Sequence, residues 1–353
     1  MPRWLSRSAF LTMALSTAPP VAAQSIGWTR IDAGRGTGCA HDSPFAFFVH
    51  LGHPRRLMLY FQGGGACWNG TNCDLQGRPT FDPQVDSTDD PARALGILDL
   101  ANPANPIRDY SIVFIPYCTA DLHLGARVRP YADTVRGDRR TYRIRHNGSA
   151  NASGALAWVY GHFDRLEVAF VAGGSAGAIP SPVFAAQFAR HYPWARVVQL
   201  GDGGGGYRAP AIPAILARWG ATEVLRRQPA YRSVDPAALT FESFYVLAAR
   251  DAPSVRFAQY NNAQDKTQLF FLEQLGLRNA SLPGLLALNL AEIRRANPRF
   301  RSYTAPGQAH TILLTPQFYA LTVDGVAIRD WVAALLGGQA VRNVGDSLLW
   351  RSR

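Results

Sequence analysis

Leu166-Glu167-Val168-Ala169-Phe170-Val171-Ala172-Gly173-Gly174-Ser175-Ala176-Gly177 is the stretch on which the fold turns. Its first half, Leu166–Val171, is a short apolar run rich in β-prone residues, as a buried strand requires. Its second half is G-x-S-x-G. The following Ala176–Arg190 reads as a helix with Phe184 and Phe188 one turn apart, although Pro180 and Pro182 weaken its first turns. Strand, G-x-S-x-G and helix in that order describe a sharp turn that exposes a nucleophilic serine. The glycines are needed because backbone must pass close to a strained serine. The helix behind it turns its N-terminal N–H groups toward developing negative charge. Without the flanking elements the same glycines would mark only a flexible turn.

Working outward, Phe45–His50 and Arg56–Gln62 are β-rich runs joined by Gly52-His53-Pro54, which reads as a hairpin. Tyr110–Tyr117 is a buried-strand candidate and Ala155–His162 a helix. Arg196–Leu200, Val255–Tyr260 and Phe300–Tyr303 are further strands. Val323–Leu336 reads as a helix closed by Gly337-Gly338. Apolar strands alternating with helices predict a mostly parallel central sheet covered on both faces, in a single α/β domain over residues 24–353. Such sheets bind ligands beyond the carboxyl ends of their strands. Asp74–Asn105 and Tyr207–Tyr245 are long insertions that could cover that edge.

The remaining chemistry is sought in those loops. An oxyanion hole needs N–H donors where negative charge develops. Ala176, just after the serine, supplies one. Gly63-Gly64-Gly65, after the Arg56–Gln62 strand, offers Gly64 and Gly65. A general base should be a late histidine in a loop after a strand, and His310 alone fits, since every other histidine lies at or before His191. His123, also after a strand, is the rival and could line the pocket instead. The orienting acid should fall between serine and histidine in the chain. Asp251 precedes a strand, at the wrong end. Asp265 follows one and is favoured; Asp202 is the second candidate, or a turn-former beside Gly203–Gly206. Gly201–Gly206 also contains G-x-G-x-x-G, but Pro210 and Pro213 interrupt the helix that a dinucleotide site would need.

The N-terminus has the three parts of an export signal: Arg3 and Arg7, the apolar run Ala9–Ala18, and small residues at Val21-Ala22-Ala23. The apolar run is well short of the ~20 residues of a membrane span, so residues 1–23 read as a cleaved signal peptide. The mature chain then begins near Gln24 and is secreted or periplasmic. The even set Cys39, Cys67, Cys73 and Cys118 suits an oxidising compartment. Of three possible pairings, Cys67–Cys73 with Cys39–Cys118 is preferred; C-x5-C with no nearby histidine pair is not a zinc site. The net charge is +11, or +9 without the two signal arginines. No dense basic run with interleaved aromatics appears, so no nucleic-acid partner is expected.

Together these residues resemble the pectin acetylesterase and Notum family of secreted carboxylesterases, of α/β-hydrolase type. The resemblance runs over nearly the whole mature chain. It is carried by Cys39-Ala40-His41-Asp42, Gln62–Asn69 with Cys73-Asp74, Val113–Cys118, Ala172–Gly177, Ala263–Gln268 and His310. It implies Ser175, Asp265 and His310 as the triad, Gly64, Gly65 and Ala176 as oxyanion donors, and the same two disulfides. Animal members usually carry Trp where this chain has Gly65, and plant members where it has Ala66. The family's acidic–serine–glycine turn is here Asp202-Gly203-Gly204, and the plant Ala-Tyr-Asp is Ala263-Gln264-Asp265. These departures concern the pocket wall.

The expectation is therefore hydrolysis of short-chain acyl esters through an acyl-enzyme, with no cofactor and no metal. The partner is an acylated small molecule or a polysaccharide such as pectin. The alternatives are an acyltransferase or lyase on the same fold, separable by product analysis with a competing alcohol, and a non-catalytic carbohydrate-binding module.

Overall fold

The structure, a computed structural model, describes residues 27–74, 80–132 and 141–350. The candidate signal peptide, residues 1–23, lies outside them. In chain order the elements are β1 (Trp28–Asp32), β2 (Ala46–His50), β3 (His53–Phe61), β4 (Tyr110–Ile115), β5 (Arg127–Ala132), β6 (Thr141–His146), α1 (Gly148–His162), β7 (Val168–Gly174), α2 (Ser181–His191), β8 (Arg196–Asp202), α3 (Ile212–Trp219), α4 (Ala221–Leu225), α5 (Phe241–Asp251), β9 (Arg256–Asn262), α6 (Lys266–Gln274), α7 (Leu282–Ala296), β10 (Arg301–Ala305), α8 (Gln317–Ala320), β11 (Thr322–Val323), β12 (Val326–Ala327) and α9 (Ile328–Leu336). Among the described residues, no helix is long and apolar enough to cross a membrane.

Eight strands form one sheet in the order β1-β2-β4-β3-β7-β8-β9-β10. Pairing is parallel from β4 to β10 and antiparallel for β1 and β2. This is the mostly parallel sheet expected of an α/β-hydrolase-like fold. The two-residue period of a strand sends side chains to both faces. Leu57, Leu59 and Phe61 of β3 enter one core with residues of α1, α2, α5 and α7. Met58 and Tyr60 enter the other, with Phe318, Trp331 and Leu335. Both faces are thus buried, and β4 and β7 are buried at every position.

Three expectations need correcting. Phe45–His50 and Arg56–Gln62 do not form a hairpin, because β4 lies between β2 and β3. The chain crosses the start of β4 at Gly52, where a Cβ would sit 2.6 Å from the carbonyl oxygens of Asp109 and Tyr110. Glycine permits that crossing; nothing local marks it as different from a turn. The helix after Ser175 does not begin at Ala176. A 3₁₀ turn, Ser175–Gly177, comes first, and α2 starts after Pro180, which has no N–H to continue a helix across it. Val323–Leu336 is also not one helix. Asp324 and Gly325 have φ of 49° and 74° and turn a short β11–β12 hairpin, so α9 begins at Ile328. Asp-Gly is the signal for such a two-residue turn.

Both disulfides form the preferred pairs, Cys39–Cys118 and Cys67–Cys73. They enclose chain separations of 79 and 6 residues, and no free cysteine is described. The longer loop implies roughly 4 kcal/mol of stabilisation by the chain-entropy argument, the shorter one less. Replacing Cys39 and Cys118 by Ser should therefore lower the melting temperature by several degrees and change kcat little. Replacing Cys67 and Cys73 should do the reverse, since they border the Gly63–Gly65 loop. Scanning calorimetry beside ester kinetics checks the pattern, and equal effects of both pairs would refute it.

Candidate active site

Ser175, Asp265 and His310 come from three loops at the carboxyl edge of the sheet and meet. His310 Nε2 lies 2.7 Å from Ser175 Oγ, and His310 Nδ1 lies 2.7 Å from Asp265 Oδ2. Ser175 has φ 52°, a left-handed conformation that an L-residue holds only at a cost. Gly173 and Gly177 allow that turn: a Cβ on Gly173 would run into the backbone of Gly177, and one on Gly177 into Phe61. Asp265 is fully buried and caps α6. Its Oδ1 accepts the N–H groups of Thr267 and Gln268 at 2.9 and 3.0 Å, and Oδ2 accepts Gln268 Nε2 at 2.9 Å. The carboxylate therefore has one direction left, and it faces the imidazole.

The glycine loop passes directly against the serine turn. A Cβ on Gly63 would stand 2.6 Å from the Gly174 carbonyl oxygen and 2.8 Å from Ser175 Cβ. Gly64 and Gly65 have φ of 147° and 79°. Among the described residues, no hydrogen bond uses the N–H of Gly64, Gly65 or Ala176. Gln62 anchors the loop: its N–H donates to Ile115, its Oε1 accepts the Tyr117 N–H and its Nε2 donates to Asp89. At Gly65 a side chain would overlap the Thr80 carbonyl oxygen. Thr80 Oγ1 in turn donates to the Ala66 carbonyl at 2.6 Å. The Thr80 backbone thus occupies the room that a tryptophan at this position would need.

His123 is not a base and does not line the pocket. It is buried against Phe61 and Tyr117, and Nε2–H donates to the Gln62 carbonyl at 2.9 Å. Burial lowers its pKa to about 4, so it is neutral and structural. It belongs to a strained segment in which Ala120, Leu122 and His123 all have φ near 57°. Asp121 holds that segment, accepting Thr119 Oγ1 and the Gly148 N–H at the start of α1. Desolvation raises Asp121 to about 7 despite those donors. Sequence reasoning overlooks this segment because positive φ on alanine, leucine and histidine has no compositional signal.

Ser175 stands between two hollows of different character. On one side Trp68, Leu122, Ile212, Trp219, Phe241 and Phe271 enclose a narrow apolar pocket. Residues of the Tyr207–Tyr245 insertion form its roof, and Trp219 Nε1 donates to the Cys67 carbonyl at 2.7 Å. On the other side Tyr60, Gln62, Thr80, Thr267 and Thr311 border a wider and more polar cleft. No group of three or more candidate metal ligands occurs among the described residues.

The remaining candidate acid, Asp202, is not a turn-former. Its carboxylate is fully buried and accepts the backbone N–H groups of Ile312 and Leu313 at 2.8–3.0 Å. No hydrogen bond joins it to His310, which Asp265 holds instead. Asp251 pairs with Arg190 at the far end of α5.

The curated proteins hold no match to this chain. The family model described as pectinacetylesterase does match it, over residues 22–212, more than half of the 353. On that match, and with a sheet and a serine turn of this kind, the chain belongs to the pectinacetylesterase family.

Proposed function

We propose that the protein is an exported serine carboxylesterase that removes short acyl groups, such as acetyl, from an acylated polysaccharide. The reading rests above all on the two 2.7 Å contacts that join Ser175, His310 and Asp265 in series. His310 Nε2 takes the Ser175 hydroxyl proton as Oγ attacks the ester carbonyl. Asp265 accepts from Nδ1–H, which fixes the tautomer and favours the imidazolium that forms. The N–H groups of Gly64, Gly65 and Ala176 are the donors for the oxyanion. His310 then protonates the departing alcohol, and water repeats the sequence on the acyl-enzyme. No step calls for a cofactor.

The unequal hollows support the substrate class. The narrow apolar pocket beside Ser175 suits an acyl chain. The wide, hydroxyl-bordered cleft suits a sugar. Single-domain organisation over residues 24–353 and export through residues 1–23 belong to the same proposal, supported by the signal-like N-terminus and two disulfides.

The test is a series of p-nitrophenyl esters from acetate to octanoate, beside acetate release from acetylated pectin. The expected result is the highest kcat/KM on the shortest esters and a fall toward octanoate. Ester transfer to an added alcohol in preference to water would favour a transferase. No turnover of any ester would leave only a binding module.

A further inference from the structure

The mechanism uses Asp265 but leaves a second fully buried carboxylate, Asp202, unemployed. Asp202 is the last residue of β8 and pairs across the sheet with Gly174, the residue before the nucleophile. Its two oxygens accept three contacts from two consecutive N–H groups: Ile312 at 3.0 Å to each oxygen and Leu313 at 2.8 Å. Those donors follow His310 by two and three residues. The loop ahead of His310 is exposed from Pro306 to Ala309, and Gly307 there has φ 93° with nothing close to where a side chain would be. On that side two backbone bonds, from Gln264 to Gly307 and Lys266 to Gln308, hold the loop. On the other side the carboxylate is the tie to the strand next to the elbow. Gly203 keeps the approach short, since a Cβ there would come within 2.7 Å of the His310 carbonyl oxygen.

We propose that Asp202 is a positioning residue. In its ionised form it clamps the Ile312 and Leu313 N–H groups and so holds His310 at hydrogen-bonding distance from Ser175. The proposal rests on the serine mechanism above. Charge-assisted bonds to backbone N–H groups are among the strongest available to a buried carboxylate. Protonation would convert one accepting oxygen into a donor and slacken the clamp. The groups that face Asp202 are Tyr60 on β3, Tyr260 on β9, and His310 and Asp265 in the site. Burial raises Asp202 to about 7, against the opposing pull of its N–H donors and of His310. Its ionisation therefore falls near neutral pH.

Asp202→Asn keeps one acceptor and Asp202→Ala none. Asp202→Asn should lower kcat by about tenfold to 100-fold, the scale of a small misplacement of reacting groups, with KM changed less than about twofold. Asp202→Ala should lose more. Labelling of Ser175 by a fluorophosphonate should slow in step, with circular dichroism unchanged. The wild-type acid limb of log kcat/KM against pH should steepen toward a slope of about two, for two required ionisations, and Asp202→Asn should return it to about one. The wild-type slope needs no variant, so a variant that fails to fold does not spare the proposal. A wild-type slope of one throughout, or a folded Asp202→Asn that labels and turns over like wild type, overturns it. Failure of wild-type Ser175 to label at all would instead sink the serine mechanism.

Discussion

Ser175→Ala is expected to cut kcat by up to about 10⁶-fold, the scale seen when a triad serine is lost elsewhere. The folded state should not suffer. The turn at Ser175 is strained by its φ of 52°, and alanine meets the same backbone demand as serine. The hydroxyl is removed from a site where His310 Nε2 is its partner, at 2.7 Å. A half-buried imidazole nitrogen left facing the pocket can take a water instead. The variant should therefore melt close to wild type and bind the ester, yet turn it over at the residual rate that oriented N–H donors alone supply. Retention of more than a few per cent of wild-type kcat would remove Ser175 from the role.

Asp265→Asn should come second, with a loss on the order of 10⁴ in kcat, as for the equivalent change in a serine protease. Asp265 Oδ1 can be kept by an asparagine carbonyl, which still caps α6 through Thr267 and Gln268. Oδ2 cannot. An NH₂ group there faces His310 Nδ1 and the Gln268 amide, so the imidazole must present its other tautomer and loses its acceptor nitrogen toward Ser175. The fold survives while the base is disabled. The comparison with Asp202→Asn decides the assignment. Asp202 acts through the loop, so its loss should be smaller by about two orders of magnitude on the positioning scale. If Asp202→Asn is the more damaging, the orienting carboxylate has been misidentified.

Much of this architecture is legible in the sequence because both faces of the sheet are buried. Such strands read as continuous apolar runs, and their order with the helices is enough to give a mostly parallel sheet. Ser175, Asp265 and His310 can be nominated by position, since each falls just after a strand. What strand patterns cannot supply is lateral order. Gly52 looks like half of a hairpin turn, and only the strand that begins at Tyr110 makes it a crossover. Nor do they supply loop conformation. Asp202 reads as a turn beside four glycines, because its partners are backbone N–H groups more than a hundred residues away and leave no trace in side-chain identity. The same holds for Thr80, which fills the place beside Gly65, and for Asp121 beneath its strained neighbours.

The roof of the apolar pocket has a further consequence. Tyr207, Ile212, Ile215, Trp219 and Phe241 all fall in one uninterrupted stretch between β8 and β9, whereas the reacting groups sit on the loops after β7, β9 and β10. Much of the pocket wall is therefore carried by a segment that bears none of the triad residues, while Trp68, Leu122 and Phe271 complete it from beside the reacting groups. Substitutions or length changes in that stretch can reshape what is accepted without moving the atoms that react. Trp219 is one of its fixed points: the indole donates to the Cys67 carbonyl, and the Trp219 carbonyl accepts the Ala126 N–H. Around that fixed point, substitution of Ile212, Ile215 or Phe241 changes the wall that meets the acyl group and leaves Ser175, Asp265 and His310 in place.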